Sequence, residues 1–392
     1  MALNSFWYSI PYILLITLCF WMSFREERAR PAAKKRYVDV VVIVLVFFFG
    51  LRGFVHTDFQ NYYPWFEDLP TIWSPGIEWK VFMRDWAKYE PGFVIYSILC
   101  KSVLPSYFMW ILVSAAIDIV LLRKVFERYS SNVCMSFAIY LAIGGLIMEF
   151  SLMRNIKAIL IILLALRYIR EKDFKMYVLY IVAATLFHST ALLFLPLYFV
   201  LDKRIPKGVL LTVFIIGMAT ILLRLKYMST LLVNASSVFG QQYSALAAFY
   251  LGQDKFATEY GISFGLVERV LTFGFVYFNY GKIRDKSGDK YIFPNMFVLY
   301  FMSFTLLYEV SVVLERIAYY FALSYCIFYP QLRERYRGAS GKRLVVTAYI
   351  LLVFMAKIAI QTKPVIYRYD NLLFGIESYY DRLSKLDRFN TR

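Results

Sequence analysis

The side chains able to do chemistry are few, and they lie beside apolar runs. Arg154 stands in Ser151-Leu152-Met153-Arg154, at the first turn of an expected helix. A helix N-terminus favours anions through free N–H groups and its macrodipole. A guanidinium there adds bidentate phosphate recognition. The same positive charge opposes the helix dipole, so it calls for an anionic partner, either Glu149 or a ligand. Lys157, one turn on, is placed to share that anion. His188, in Phe187-His188-Ser189-Thr190, carries an imidazole suited to general-base work near neutral pH. Its plainer role is a hydrogen bond at a helix break, with Ser189 and Thr190 as caps. Asp58 follows His56-Thr57; in a helix it shares a face with Tyr62, and its carboxylate can activate a sugar hydroxyl. Glu90 opens Glu90-Pro91-Gly92-Phe93, Arg316 follows Glu315, and Arg52 ends the second apolar run. Ionisable groups beside a membrane are costly, which makes each a functional candidate.

The elements that hold these groups are apolar. Of 392 residues, 60% are hydrophobic and 18% charged, against about 45–50% and about 25% in soluble domains. A soluble enzyme and a disordered chain are excluded. So is a β-barrel, whose strands alternate rather than run apolar. The fold class is all-α: one polytopic membrane domain over 1–392 with about 10–12 transmembrane helices. Spans are expected near 5–22, 38–54, 106–122, 132–150, 154–169, 208–224, 263–280, 291–309, 313–330 and 344–361.

The net charge of +17 does not signal nucleic acid, because Lys and Arg cluster in short loops between apolar runs. Placing the basic loops 24–36, 123–131, 167–175, 202–207, 281–290 and 331–343 all in the cytoplasm requires two short helices within 176–201, folded back at His188. Both termini are then outside, and 55–105 and 225–262 become external loops. The stretch Pro91 to Leu104 reads as an interfacial or re-entrant helix, and the aromatics of 55–105 suit an interface. The basic tail 362–392 sits uneasily on the outer side. On this topology Arg52, Asp58, Glu90, Arg154, His188 and Arg316 share the outer face. Cys19, Cys100, Cys134 and Cys326 have no chelating spacing, and only His56 and His188 supply imidazole, so neither a metal nor another cofactor is expected. Walker A, GxGxxG, HExxH and CxxC patterns are absent.

Taken in order, these motifs resemble the EpsG/Wzy family of bacterial polysaccharide polymerases. Arg52-Gly53-Phe54 with Asp58 and Tyr62-Tyr63 resembles its first outer-loop motif, and Glu90-Pro91-Gly92-Phe93 its next block. Met153-Arg154-Asn155-Ile156-Lys157-Ala158 is similar to its Arg-Gln-x-x-Ala motif, with Asn155 in place of Gln. Phe187-His188-Ser189-Thr190-Ala191 is similar to Phe-His-x-Ser-Ala, and Arg316 with Tyr319-Tyr320-Phe321 to a late Arg motif. The resemblance spans about 45–335. It implies an enzyme of the bacterial cytoplasmic membrane that joins repeat units carried on undecaprenyl diphosphate, at a site facing the periplasm or exterior. A chain-length regulator and a flippase are partners expected at family level. Arg154 and Arg316 are the expected diphosphate ligands, with Lys157 and Arg52 in support. His188 or Asp58 is the expected base, and Tyr62 and Glu90 are further substrate-binding candidates. The rival readings are another lipid-linked sugar transferase, an O-antigen ligase, a flippase of lipid-linked oligosaccharide, or a membrane acyltransferase resting only on His188. Transport predicts internal repeats and midplane charge, and no repeat is present.

Overall fold

The computed structural model describes residues 3–74, 89–228, 230, 231, 234 and 263–390. Trp79, Trp86 and most of the expected external loop 225–262 lie outside the described residues. The regular elements of the described residues are helices, with 362–378 largely irregular: α1 (Ile10–Arg28), α2 (Pro31–Gly50), α3 (Phe59–Asp68), α4 (Pro91–Val103), α5 (Tyr107–Tyr129), α6 (Val133–Tyr140), α7 (Leu146–Phe150), α8 (Met153–Glu171), α9 (Phe174–Thr185), a 3-10 helix (Ser189–Phe199), α10 (Lys207–Leu222), α11 (Phe264–Asn279), α12 (Ile292–Leu306), α13 (Ser311–Ala322), α14 (Ser324–Arg335), α15 (Ser340–Gln361) and α16 (Tyr379–Asn390). Among these, Phe6–Arg28, Val133–Phe150 and Ser340–Gln361 are long and apolar enough by themselves to cross a bilayer. The expected single span 313–330 is instead two helices, α13 and α14, meeting at Leu323.

The centre of the bundle is α6, in which every residue is buried. A helix apolar all round belongs inside a protein. Its polar start is satisfied locally: Asn132 Oδ1 accepts from Met135 N at 2.8 Å. The Glu26 carboxylate of α1 accepts from Val133 N and Cys134 N at 3.1 and 2.9 Å. A buried carboxylate is tolerated there because the exposed N–H groups and helix dipole favour it. The span then breaks. Residues Leu141–Gly145 widen into a π turn, and Gly144 takes φ +121. A Cβ at Gly144 would sit 2.2 Å from the Tyr319 ring. The break therefore lets α13 close onto the π turn, which brings Arg316 to the start of α8.

The awkward run 176–201 folds back at His188, as the charge pattern requires. α9 rises about 18 Å, and the 3-10 helix packs beside it. At 1.5 Å per residue α8 runs about 25 Å below Arg154, most of the roughly 30 Å hydrocarbon core. Arg154 and His188 thus lie at one end of the bundle.

The basic tail packs against that same end. Gly53 N donates to Asp370 O at 3.1 Å, His56 N to Ile366 O at 2.8 Å and Leu372 N to Leu51 O at 2.8 Å. Arg368, Arg382 and Lys385 of the tail share two of its own acids. Arg382 pairs with Asp370 at 3.1 Å and Glu377 at 2.9 Å, Lys385 with Glu377 at 2.5 Å, and Arg368 with Glu377.

Candidate functional site

Four separate segments converge at the start of α8. Leu152 precedes the helix and offers no side-chain acceptor to its free N–H groups. Arg154, in the first turn, meets Glu90 rather than Glu149: Nη1 lies 2.5 Å from Glu90 Oε2. Its Nε donates to Tyr62 Oη at 3.4 Å, and its guanidinium lies 4.8 Å from the centre of the Tyr89 ring. The pair is partly open, with side-chain exposures of 22% and 17%. It can therefore be reached by a ligand.

Glu90 arrives here because α4 starts against the turn after α9. Gly92 N donates to Leu186 O at 2.8 Å. A Cβ on Gly92 would approach that same oxygen to 2.8 Å, so the contact needs glycine. Glu90 Oε1 also accepts from Ser189 N at 3.2 Å. Burial raises the Glu90 carboxyl pKa, but Arg154 and the surrounding N–H groups outweigh burial and leave it below its ordinary value. Glu90 is a permanent carboxylate.

His188 is buried, and its Nδ1 accepts from Thr190 N at 3.3 Å and contacts Thr190 Oγ1 at 2.7 Å. Thr190 Oγ1 reaches Tyr320 Oη at 3.0 Å. A backbone N–H can only donate, so Nδ1 is the lone-pair nitrogen and the neutral ring carries its hydrogen on Nε2. Burial lowers the imidazole pKa to about 4, against the opposing pull of Glu90. The ring is neutral at physiological pH, with Nε2 a donor.

Asp58 precedes α3, whose Phe59, Tyr62, Trp65 and Phe66 sink into an aromatic cluster with Phe93 and Trp110. Thr57 Oγ1 donates to Asp58 Oδ1 at 3.1 Å. Burial raises the Asp58 pKa; Thr57, Arg154 and Arg316 pull it back only in part. Arg316 is exposed on α13, and its backbone oxygen accepts from Asn155 Nδ2 at 3.3 Å. Among the described residues no carboxylate pairs with the Arg316 guanidinium. Asp58, Tyr62, Glu90, Arg154, His188 and Arg316 thus form one group.

Two expected members stand apart. Lys157 does not share an anion with Arg154. It is buried on Asp118, 2.9 Å away, with exposures of 6% and 3%. One turn deeper in the bundle, an ammonium without a carboxylate is too costly, and α5 supplies one. Arg52 does not face the opening either. It is 4% exposed, donating to Phe49 O at 2.6 Å and Glu149 O at 2.7 Å. These are last-turn carbonyls of α2 and α7, whose partial negative charge favours a cation. Arg52 fastens two helix ends together under the site. Residues given no site role from sequence are Tyr89, Thr190, Tyr320 and the docked tail. The acids Asp370 and Glu377, between Arg368 and Arg382, are the one signal for the last of these.

The site thus offers two guanidiniums, a helix start and an imidazole donor for an anion, next to a half-buried carboxylate with raised basicity. Residues 35–371 match the model of the EpsG family. No curated protein and no solved structure matches the chain.

Proposed function

The chain belongs to the EpsG family, and from that premise we propose that it is a polysaccharide repeat-unit polymerase. It is a membrane glycosyltransferase that joins undecaprenyl-diphosphate-linked oligosaccharides on the outer face of the bacterial cytoplasmic membrane. The observation that carries this reading is the half-buried Asp58 carboxylate, bonded to Thr57 and grouped with Arg154 and Arg316 at one end of the bundle.

An acceptor hydroxyl oxygen attacks the anomeric carbon of the donor sugar. The bond from that carbon to the diphosphate oxygen breaks, and the hydroxyl proton passes to Asp58. Arg316, exposed and without a carboxylate partner among the described residues, meets the diphosphate first. Arg154 sits deeper, aimed by Glu90 and Tyr62 at the bond that breaks. Fixed cations stabilise the charge that develops on a leaving group without reorganising during the reaction. His188 supports the same anion by donation from Nε2. Its Nδ1 is already engaged, which favours Asp58 over His188 as base. Tyr62 and Tyr89 are buried and hold Arg154 in place, Tyr62 through its hydroxyl and Tyr89 through its ring face.

Lipid-linked oligosaccharide and the bilayer are the partners this chemistry needs; a flippase supplying the donor and a regulator of chain length are consistent with it. Deleting the gene should collapse the surface-polysaccharide ladder of the host to one repeat unit, and restoring it should rebuild the ladder. Long lipid-linked chains that are never attached would instead indicate a ligase, and loss of every unit a flippase or an earlier step. An unchanged ladder would overturn the proposal.

A further inference from the structure

His56 has no role in the mechanism above, yet its backbone is held in an unfavourable state. It is a non-glycine residue at φ +69, the left-handed region in which Cβ crowds the following carbonyl. Such strain persists only where the surroundings enforce it. Here two separate segments do so. The C-terminal tail takes the backbone, with His56 N donating to Ile366 O at 2.8 Å and the Tyr367 ring 5.0 Å away, edge to face. The turn between α7 and α8 takes the side chain, with Ser151 Oγ 2.5 Å from His56 Nδ1. The same Nδ1 lies 3.2 Å from Thr57 Oγ1, and Thr57 donates to Asp58 Oδ1 at 3.1 Å.

We infer that His56 is a positioning residue for Asp58: together with Ser151 and the docked tail it fixes the Thr57 hydroxyl that orients the carboxylate. The inference rests on the polymerase reading and on Asp58 as its base. The direction of the chain is set by chemistry at its last link. An ionised carboxylate only accepts, so the Thr57 hydrogen must point at Asp58. With its hydrogen committed, Thr57 Oγ1 presents lone pairs to the ring, so His56 Nδ1 carries the hydrogen and shares it between Ser151 Oγ and Thr57 Oγ1 as acceptors. Ser151 is three residues before Arg154, so the same turn that begins α8 holds both the cation and, through His56, the carboxylate. The tail thereby becomes part of the site without touching substrate.

The test compares purified variants in their rate of joining lipid-linked repeat units. Thr57→Val removes the oriented hydroxyl without altering backbone preference. His56→Gly accepts the left-handed backbone and removes the ring. Each should lower kcat about tenfold with KM within about twofold, because the carboxylate is misaimed while the diphosphate site is intact. His56→Asn tolerates φ > 0 and still offers a polar side chain, and should recover most of the rate. A loss that appears equally in KM, or that His56→Asn does not relieve, would overturn the positioning role. So would wild-type kcat in Thr57→Val. If His56→Gly fails to fold, Thr57→Val decides alone. Asp58→Asn runs alongside: if it is fully active, the base assignment fails. If it is inactive while Thr57→Val and His56→Gly are normal, only the positioning inference fails.

Discussion

Replacing Arg154 with alanine should abolish polymerisation while leaving the protein in the membrane at normal amount. Losing one preorganised donor to a developing anion typically costs about 10²–10³ in rate, and Arg154 supplies a fork that one Lys ammonium cannot reproduce. Its Nη1 and Nε serve Glu90 and Tyr62 while the plane lies against Tyr89. Arg154→Lys should therefore recover only part of the activity. A structural explanation competes with this one, since removing Arg154 strands the Glu90 carboxylate. The double variant Arg154→Ala/Glu90→Gln separates them. It removes the stranded charge, so it should stay inactive if Arg154 acts on the diphosphate. Recovery in the double variant, or near-normal ladders in Arg154→Ala, would contradict the role.

Asp58→Asn should be comparably severe. Removing a positioned general base costs about 10²–10⁴, and asparagine keeps the shape and the Thr57 contact. Because burial raises the Asp58 pKa, the carboxylate is a better base than an exposed aspartate. It also fixes the sign of the pH dependence. The base must be ionised, so kcat/KM falls as pH drops through a value above the usual carboxylate range of about 3.9, and is flat above it. The measurement is the pH profile of the wild type beside the residual rate of Asp58→Asn. A variant that retains the wild-type rate would move the proton to another group.

Much of this site is legible in sequence because its members lie at ends of apolar runs. The basic loops orient the runs, and orientation alone gathers Asp58, Glu90, Arg154, His188 and Arg316 at one end. The fold-back at His188 follows from the same bookkeeping. The direction in which a side chain leaves its helix is not legible. Lys157 stands one turn from Arg154, yet it belongs to Asp118, a partner 39 residues away that only packing reveals. Arg52 ends an apolar run just as a substrate-binding arginine would, but two carbonyl ends claim it. The break at Gly144 is likewise invisible without Tyr319, whose ring needs the missing Cβ. The docking of the tail is not legible either: of six Lys and Arg in 362–392, Arg382 is 3% exposed and paired twice.

The claim at the centre of this account is that the chain itself makes a glycosidic bond at the expense of a lipid diphosphate. The most direct measurement supplies purified protein in lipid with undecaprenyl-diphosphate-linked repeat units and follows both products. The account predicts lipid-linked dimers and longer chains, with one free undecaprenyl diphosphate for each new linkage, and neither product from Arg154→Ala. Substrate that moves between leaflets with no new linkage and no free lipid diphosphate would contradict it.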